Sequence, residues 1–145
     1  GMNWESEPFD IGKAIFMRPA RDLLIVSTGV MTQVALDAAV ALEEKCIQAG
    51  VLHMHTIKPL DVESLIENLQ NVGILITIEE HTRMGGLGSA VLEALQDARV
   101  TIPRVARMGI PDAFAPEYGR QESLLKTWGL DAQQVVRTAE SLLEM

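Results

Sequence analysis

The sequence predicts an α/β domain built on a mostly parallel sheet with helices on both of its faces. Short apolar runs alternate with amphipathic stretches along nearly the whole chain. The inner runs, such as Leu23–Val26 and Ile74–Ile78, are apolar without interruption, as expected of strands covered on both sides. Predicted helices separate these runs from the second one onward, which is the connection that parallel strands require.

The first two predicted strands lie close together in the chain. Ala14–Met17 is a short apolar run, and the turn-forming residues 18–22 separate it from Leu23–Val26. Because this link is too short for a helical crossover, we expect the first strand to be antiparallel to its neighbour.

The middle of the chain predicts a helix, a strand and a shorter helix. Met31–Gln48 carries apolar residues at helical spacing, and Cys46 falls on that stripe, where we expect it to be an inert core residue. Gly50 is placed as the glycine that ends this helix, and Val51–His55 follows as a strand. Asp61 is the expected N-cap of the second helix, which ends near Asn71.

The second half repeats the alternation of strand and helix. A glycine-rich loop follows the third inner strand, and Asp131 is expected to cap the last helix. The predicted elements are the strand Ile74–Ile78, a helix after Ser89, the strand Val105–Met108, a helix at Gln121–Trp128 and a last helix after Asp131.

Composition and charge exclude several classes of protein. The chain has 145 residues, which suits one domain, and a formal net charge of -8, which argues against a nucleic-acid surface. Its single Cys excludes an intramolecular disulfide, a Cys₄ zinc site and a CxxC pair. No apolar stretch approaches the roughly 20 residues that span a bilayer. We therefore expect a cytoplasmic location.

The N-terminus carries a sign of processing. Gly1 before Met2 is typical of the residue that cleavage of a tag leaves behind. We interpret residues 1–10 as this scar with a polar extension, and residues 11–145 as the domain.

The loop Gly85–Ser89, between a strand and a helix, is a candidate site for a small anion. Free N–H groups at a helix start favour a phosphate or carboxylate, and glycines let the backbone approach it. Gly85, Gly86, Gly88 and Ser89 are the candidates in this loop. The alternative is a tight turn whose glycines serve packing alone.

Three polar residues, Glu79, Glu80 and His81, close the strand before that loop. One interpretation is an acid–base pair of Glu79 and His81. The interpretation that we favour is non-catalytic: either a hydrogen-bonded network that closes the end of the strand, or contacts of the three residues with another subunit. A zinc site of His53, His55 and His81 is a further alternative, although the sequence supplies no carboxylate partner for it.

An ordered series of short motifs resembles the transketolase C-terminal domain, which transketolase, deoxyxylulose-phosphate synthase and the beta subunits of 2-oxoacid dehydrogenases share. It extends over roughly residues 11–145. The motifs, in order, are Gly12-Lys13-Ala14, Asp22–Gly29, Ile57–Asp61, Thr77–His81, Gly85–Val91, Gly109–Asp112 and Gly129–Asp131.

The resemblance implies a three-layer α/β/α domain with a five-stranded mixed sheet of order 1-3-2-4-5 and an antiparallel first strand. This order would bring Ser27–Gly29 beside Glu79–Ser89, so that Thr28, Gly29 and His81 join the anion candidates. The family's enzymes are thiamine diphosphate-dependent ketol transferases, whose cofactor and magnesium lie between a pyrophosphate and a pyrimidine domain. The sequence lacks the Gly-Asp-Gly motif of the pyrophosphate domain.

The resemblance therefore assigns no catalytic residue and no bound cofactor to this chain. It implies the C-terminal section of a transketolase-like enzyme, whose partners are the pyrophosphate- and pyrimidine-binding portions and, in a homodimer, a second copy. Such a section is not catalytic by itself and supports subunit assembly. The alternative function is a small-anion (phosphate or nucleotide) binding or regulatory module that uses the loop Gly85–Ser89.

Overall fold

A computed structural model of the chain describes residues 12–82, 86–110 and 130–145, with the side chains of His81, Thr82 and Ile110 left out. Within these ranges five strands and four helices alternate. The strands are β1 Ile15–Arg18, β2 Leu23–Ser27, β3 Ala49–His53, β4 Ile74–Thr82 and β5 Arg104–Ile110. The helices are α1 Met31–Glu43, α2 Val62–Leu69, α3 Leu87–Asp97 and α4 Ala132–Leu143. The predicted helix at 121–128 lies outside the described residues.

The five strands form one sheet of order β1-β3-β2-β4-β5, which confirms the predicted topology. β1 runs antiparallel to β3, and the other three pairings are parallel. At the carboxyl end of β2, Ser27 lies opposite His53 of β3 on one side and Ile78 of β4 on the other.

Each face of the sheet carries its own apolar core. The residues of β4 alternate between the two: Ile74, Ile76 and Ile78 pack on the side of α1 and α4, and Leu75 packs on the side of α2 and α3. Such a sheet, covered on both sides, explains why β2 is apolar at consecutive positions.

The predicted capping residues are confirmed. Asp61 accepts a hydrogen bond from the backbone nitrogen of Ser64 at 3.1 Å and begins α2. Asp131 accepts one from Gln134 at 2.8 Å and begins α4.

Two expectations around the end of α1 were wrong. The helix ends at Glu43, and Cys46 follows in a left-handed conformation with φ of +63°, exposed and not in the core. Gly50 is a buried residue of β3 and not a helix-ending glycine. The physical reason is a tight turn at the end of the helix. The backbone nitrogen of Ile47 donates to the carbonyl oxygen of Leu42 at 3.0 Å, so the chain reverses there and enters β3 directly.

Strand boundaries also differ from those predicted. β3 begins at Ala49, opposite Leu23, and leaves the sheet after His53, so His55 lies outside it. β4 continues past Ile78 to Thr82, because β5 runs beside it and pairs Ile110 with Thr82. Glu79 and Glu80 are therefore strand residues.

In the described part of the chain, none of the helices combines the length and the apolar character that crossing a bilayer requires.

Candidate functional site at the carboxyl edge of the sheet

The loops after β2 and β4 meet, as the strand order implied by the family resemblance predicts. The backbone nitrogen of Thr28 bonds the carbonyl oxygen of Ile78 at 3.4 Å. Gly29 follows with φ of +55°, and a Cβ atom built on it would lie 3.5 Å from Oε1 of Glu80. The two loops thus lie side by side at the point where α1 and α3 leave for opposite faces of the sheet.

Glu79 occupies the start of α3. Its Oε1 accepts a hydrogen bond from the backbone nitrogen of Leu87 at 2.9 Å, and its Oε2 accepts one from that of Gly88 at 3.1 Å. The side chain is only 2 % exposed. The carboxylate therefore takes two of the N–H groups that a helix leaves without an intrahelical partner, and it lies at the positive end of the helix dipole.

Gly88 allows α3 to approach the sheet closely. A Cβ atom on it would lie 2.5 Å from Nε of Arg107 and 3.0 Å from Oγ1 of Thr77, which is buried. The guanidinium of Arg107 donates from Nη2 to Oγ of Ser89 at 2.7 Å. The glycine at this position therefore serves close packing of α3 on β4 and β5.

The other predicted site residues are only partly described. Gly86 is the residue before α3, with extended backbone, and Thr28 is half-buried. Gly85 and the side chain of His81 lie outside the described residues, so their place in a site stays a prediction. Among the interface candidates, Glu80 is half-buried, and Glu79 is hydrogen-bonded to the first residues of α3 in the same domain.

Ser27, Thr32 and His53 form a buried polar network where β2 and β3 end and α1 begins. The sequence analysis did not predict this network. Oγ1 of Thr32 is 2.8 Å from Oγ of Ser27 and 2.5 Å from Nδ1 of His53. All three residues are buried. Ser27 and His53 end neighbouring strands, but only the pairing of β2 with β3 makes them neighbours, and sequence spacing does not show that pairing.

Burial lowers the pKa of His53 below its ordinary value of 6.5, and the nearby His55 lowers it further. The centroids of the two imidazole rings are 4.9 Å apart in an edge-to-face arrangement. The neutral form of His53 is therefore favoured in the folded protein.

A cleft of about 370 Å³ opens beside this network. It lies at the carboxyl ends of β2 and β3, in front of the first turns of α1. Its lining residues are Gly29, Val30, Thr32, Gln33, Leu36 and His53.

Metal binding finds no support among the residues that the structure describes. They contain no group of three His, Cys, Asp or Glu side chains that could hold an ion. His53 already directs Nδ1 to Thr32, and the side chain of His81 is not among those described. The zinc alternative stays a prediction that no geometry supports.

Comparison with known proteins decides the family. The sequence model of the family described as "Transketolase, C-terminal domain" matches residues 12–135. The chain belongs to this family. The match covers β1 through the first residues of α4, so it includes the Glu79 and His53 regions alike.

Several individual proteins are similar to this transketolase C-terminal domain. A 1-deoxy-D-xylulose-5-phosphate synthase of Gloeobacter violaceus is 42% identical over 94% of the chain. A 6-deoxy-6-sulfo-D-fructose transketolase subunit of a Clostridium species is 37% identical over 97% of it. A solved structure titled "Split gene transketolase, inactive beta4 tetramer" is 38% identical over 94% of the chain, with a TM-score of 0.84.

The chain spans much less than the length of these relatives. It covers 21% of the Gloeobacter synthase, 42% of the Clostridium subunit and 44% of the chain in the split-gene structure. The activities that those names state belong to proteins with a large further portion.

Proposed function

We propose that this chain is the C-terminal section of a transketolase-like, thiamine diphosphate-dependent ketol-transfer enzyme, that it supports subunit assembly and that it is not catalytic by itself. The observation that carries the proposal is the coverage: relatives match 91% or more of this chain but contain it as a fraction of their own length. One of them is named a transketolase subunit.

Thiamine diphosphate and magnesium belong, in this proposal, to the whole assembly. The family resemblance assigns the cofactor contacts to the pyrophosphate and pyrimidine domains, and the backbone N–H groups of Leu87 and Gly88 in this chain are hydrogen-bonded to Glu79. We therefore assign no step of ketol transfer to a side chain of this domain.

Two direct measurements test the proposal. Titration of the chain with thiamine diphosphate and magnesium in a calorimeter should give no saturable heat, and saturable magnesium-dependent binding would contradict it. Light scattering at tens of micromolar should detect a homodimer. A monomer would count against self-association of the isolated chain.

Assembly with a catalytic portion needs a separate experiment. The Gloeobacter synthase, shortened by the section that this chain matches, is co-expressed with the tagged chain. Recovery of both at equal stoichiometry, with circular dichroism showing that the shortened synthase is folded, is the expected result. A folded shortened synthase that never copurifies would contradict the assembly role.

The second candidate function, small-anion binding at Gly85–Ser89, stays a prediction. Two donors at the start of α3 already bind an internal carboxylate. An external phosphate would have to displace that carboxylate or use other donors, such as the Ser89 hydroxyl and the Arg107 guanidinium, which already bind each other. These contacts argue against an external anion at the start of α3.

A further inference from the structure

The crevice between β2 and β4 is the place where an open α/β sheet ordinarily receives its ligand. There α1 leaves β2 for one face of the sheet and α3 leaves β4 for the other. The N-termini of both helices lie at this carboxyl edge, and backbone N–H groups together with the helix dipole attract an anion.

Two consecutive carboxylates of this chain reach this crevice from β4. Side chains alternate along a strand, so Glu79 lies on the α3 side and Glu80 on the α1 side. Glu79 bonds the first residues of α3. Glu80 lies against Gly29, two residues before α1 begins, with Oε1 3.5 Å from the position of a Cβ there.

The contacts of Glu79 are those of a bound carboxylate ligand. Each of its two oxygens accepts one N–H, from Leu87 at 2.9 Å and from Gly88 at 3.1 Å. Further along the same turn, the backbone nitrogen of Ala90 is used inside the helix, where it donates to the carbonyl oxygen of Gly86 at 3.1 Å. Burial to 2 % exposure keeps water from competing for the carboxylate.

We propose that Glu79 takes the place of an external anion at the start of α3, so that the backbone N–H groups of Leu87 and Gly88 carry an intramolecular carboxylate and accept no small anion from solution. This proposal goes beyond the assembly role, because it concerns contacts within the domain.

Removal of the carboxylate should create the site that the wild-type chain lacks. Glu79→Ala leaves the N–H groups of Leu87 and Gly88 without an acceptor and opens a space of side-chain size next to them. We expect the Tm to fall by roughly 5 °C or more, since unsatisfied buried donors are costly. Formate or acetate should then raise the Tm again in a saturable manner, because a ligand that binds only the folded state stabilises it.

Glu79→Gln is the matched control. Its amide fills the same space and keeps one acceptor, so it should be less destabilised than Glu79→Ala and should gain no more from acetate than from chloride at equal ionic strength. Equal rescue of the two variants, or a response of Glu79→Ala to acetate no larger than to chloride, would overturn the proposal.

A measurement on the wild-type chain keeps the proposal testable even where Glu79→Ala does not fold. The amide resonances of Leu87 and Gly88 are followed by NMR during titration with phosphate and with acetate. We expect no saturable shift at either amide, and a saturable shift at both would overturn the proposal. Because neither experiment measures association of subunits, failure here leaves the assembly tests unaffected.

Discussion

Oδ2 of Asp61 accepts a hydrogen bond from the backbone nitrogen of Ala14 at 2.8 Å, across 47 residues of sequence. The same carboxylate accepts the backbone nitrogen of Ser64 at 3.1 Å and its hydroxyl at 2.7 Å. One side chain thus joins the segment that enters edge strand β1 to the first turn of α2. This double role makes Asp61 more than a helix cap.

Replacement of Asp61 by Ala should destabilise the domain by about 2 kcal/mol, because both the cap and the bond to Ala14 are lost. Asp61→Asn retains one acceptor oxygen and should cost less. Urea unfolding at neutral pH, followed by circular dichroism, measures both variants. Equal stability of Asp61→Ala and wild type would show that neither the cap nor the bond to Ala14 contributes.

The pH dependence of the same residue has a definite sign. Burial raises the pKa of Asp61, but hydrogen bonds from Ala14 and Ser64 and the charge of Lys13 lower it more, so the pKa lies below its ordinary value of 3.8. A lowered carboxyl pKa stabilises the folded state above that ordinary value, and the stabilisation is lost as pH falls through the folded-state pKa. The stability difference between wild type and Asp61→Asn should therefore shrink below about pH 4. A constant difference down to acid unfolding would contradict this.

We expect protonation of His53 to lower the stability of the domain at mildly acidic pH. Burial and His55 hold its pKa below 6.5, so the unfolded chain binds a proton more readily than the folded one. The contribution of His53 to the free energy of unfolding is fully present above the ordinary pKa of 6.5. It declines as the pH falls from 6.5 toward the lower pKa of the folded state. The free energy of unfolding of wild type should drop between about pH 7.5 and 5.5, and His53→Gln should flatten that decline. Parallel slopes in the two proteins would rule the effect out.

We expect any side chain introduced at Gly50 to clash with its surroundings. A Cβ atom there would lie 2.5 Å from Cβ, 2.6 Å from the nitrogen and 2.7 Å from Cα of Ala20, and backbone atoms cannot move aside as a flexible side chain can. Gly50→Ala should cost about 1–3 kcal/mol or more. Gly73→Ala is the control, since nothing lies within 4 Å of its Cβ position, and it should change stability by no more than about 0.5 kcal/mol. Urea midpoints that move equally would contradict the steric account.

Local patterns in the sequence predicted the strands and the helices between them, as well as the caps Asp61 and Asp131. The apolar run of β2 indicates burial on both faces, and a carboxylate before an amphipathic stretch indicates a helix start. Both patterns can be recognised in the sequence because they involve residues only a few positions apart. The order of the strands came from the family resemblance of the motifs. The short link between β1 and β2 predicted the antiparallel edge strand.

Tertiary structure alone decided where the polar side chains point. Glu79 belongs to the strand because β5 extends the pairing, and its carboxylate then meets the start of α3. Ser27 and His53 join through Thr32 because β3 lies beside β2, and Cys46 is exposed because the turn after α1 carries it out of the core. Spacing along the chain determines which element forms, whereas contacts between elements depend on register and packing that no short segment contains.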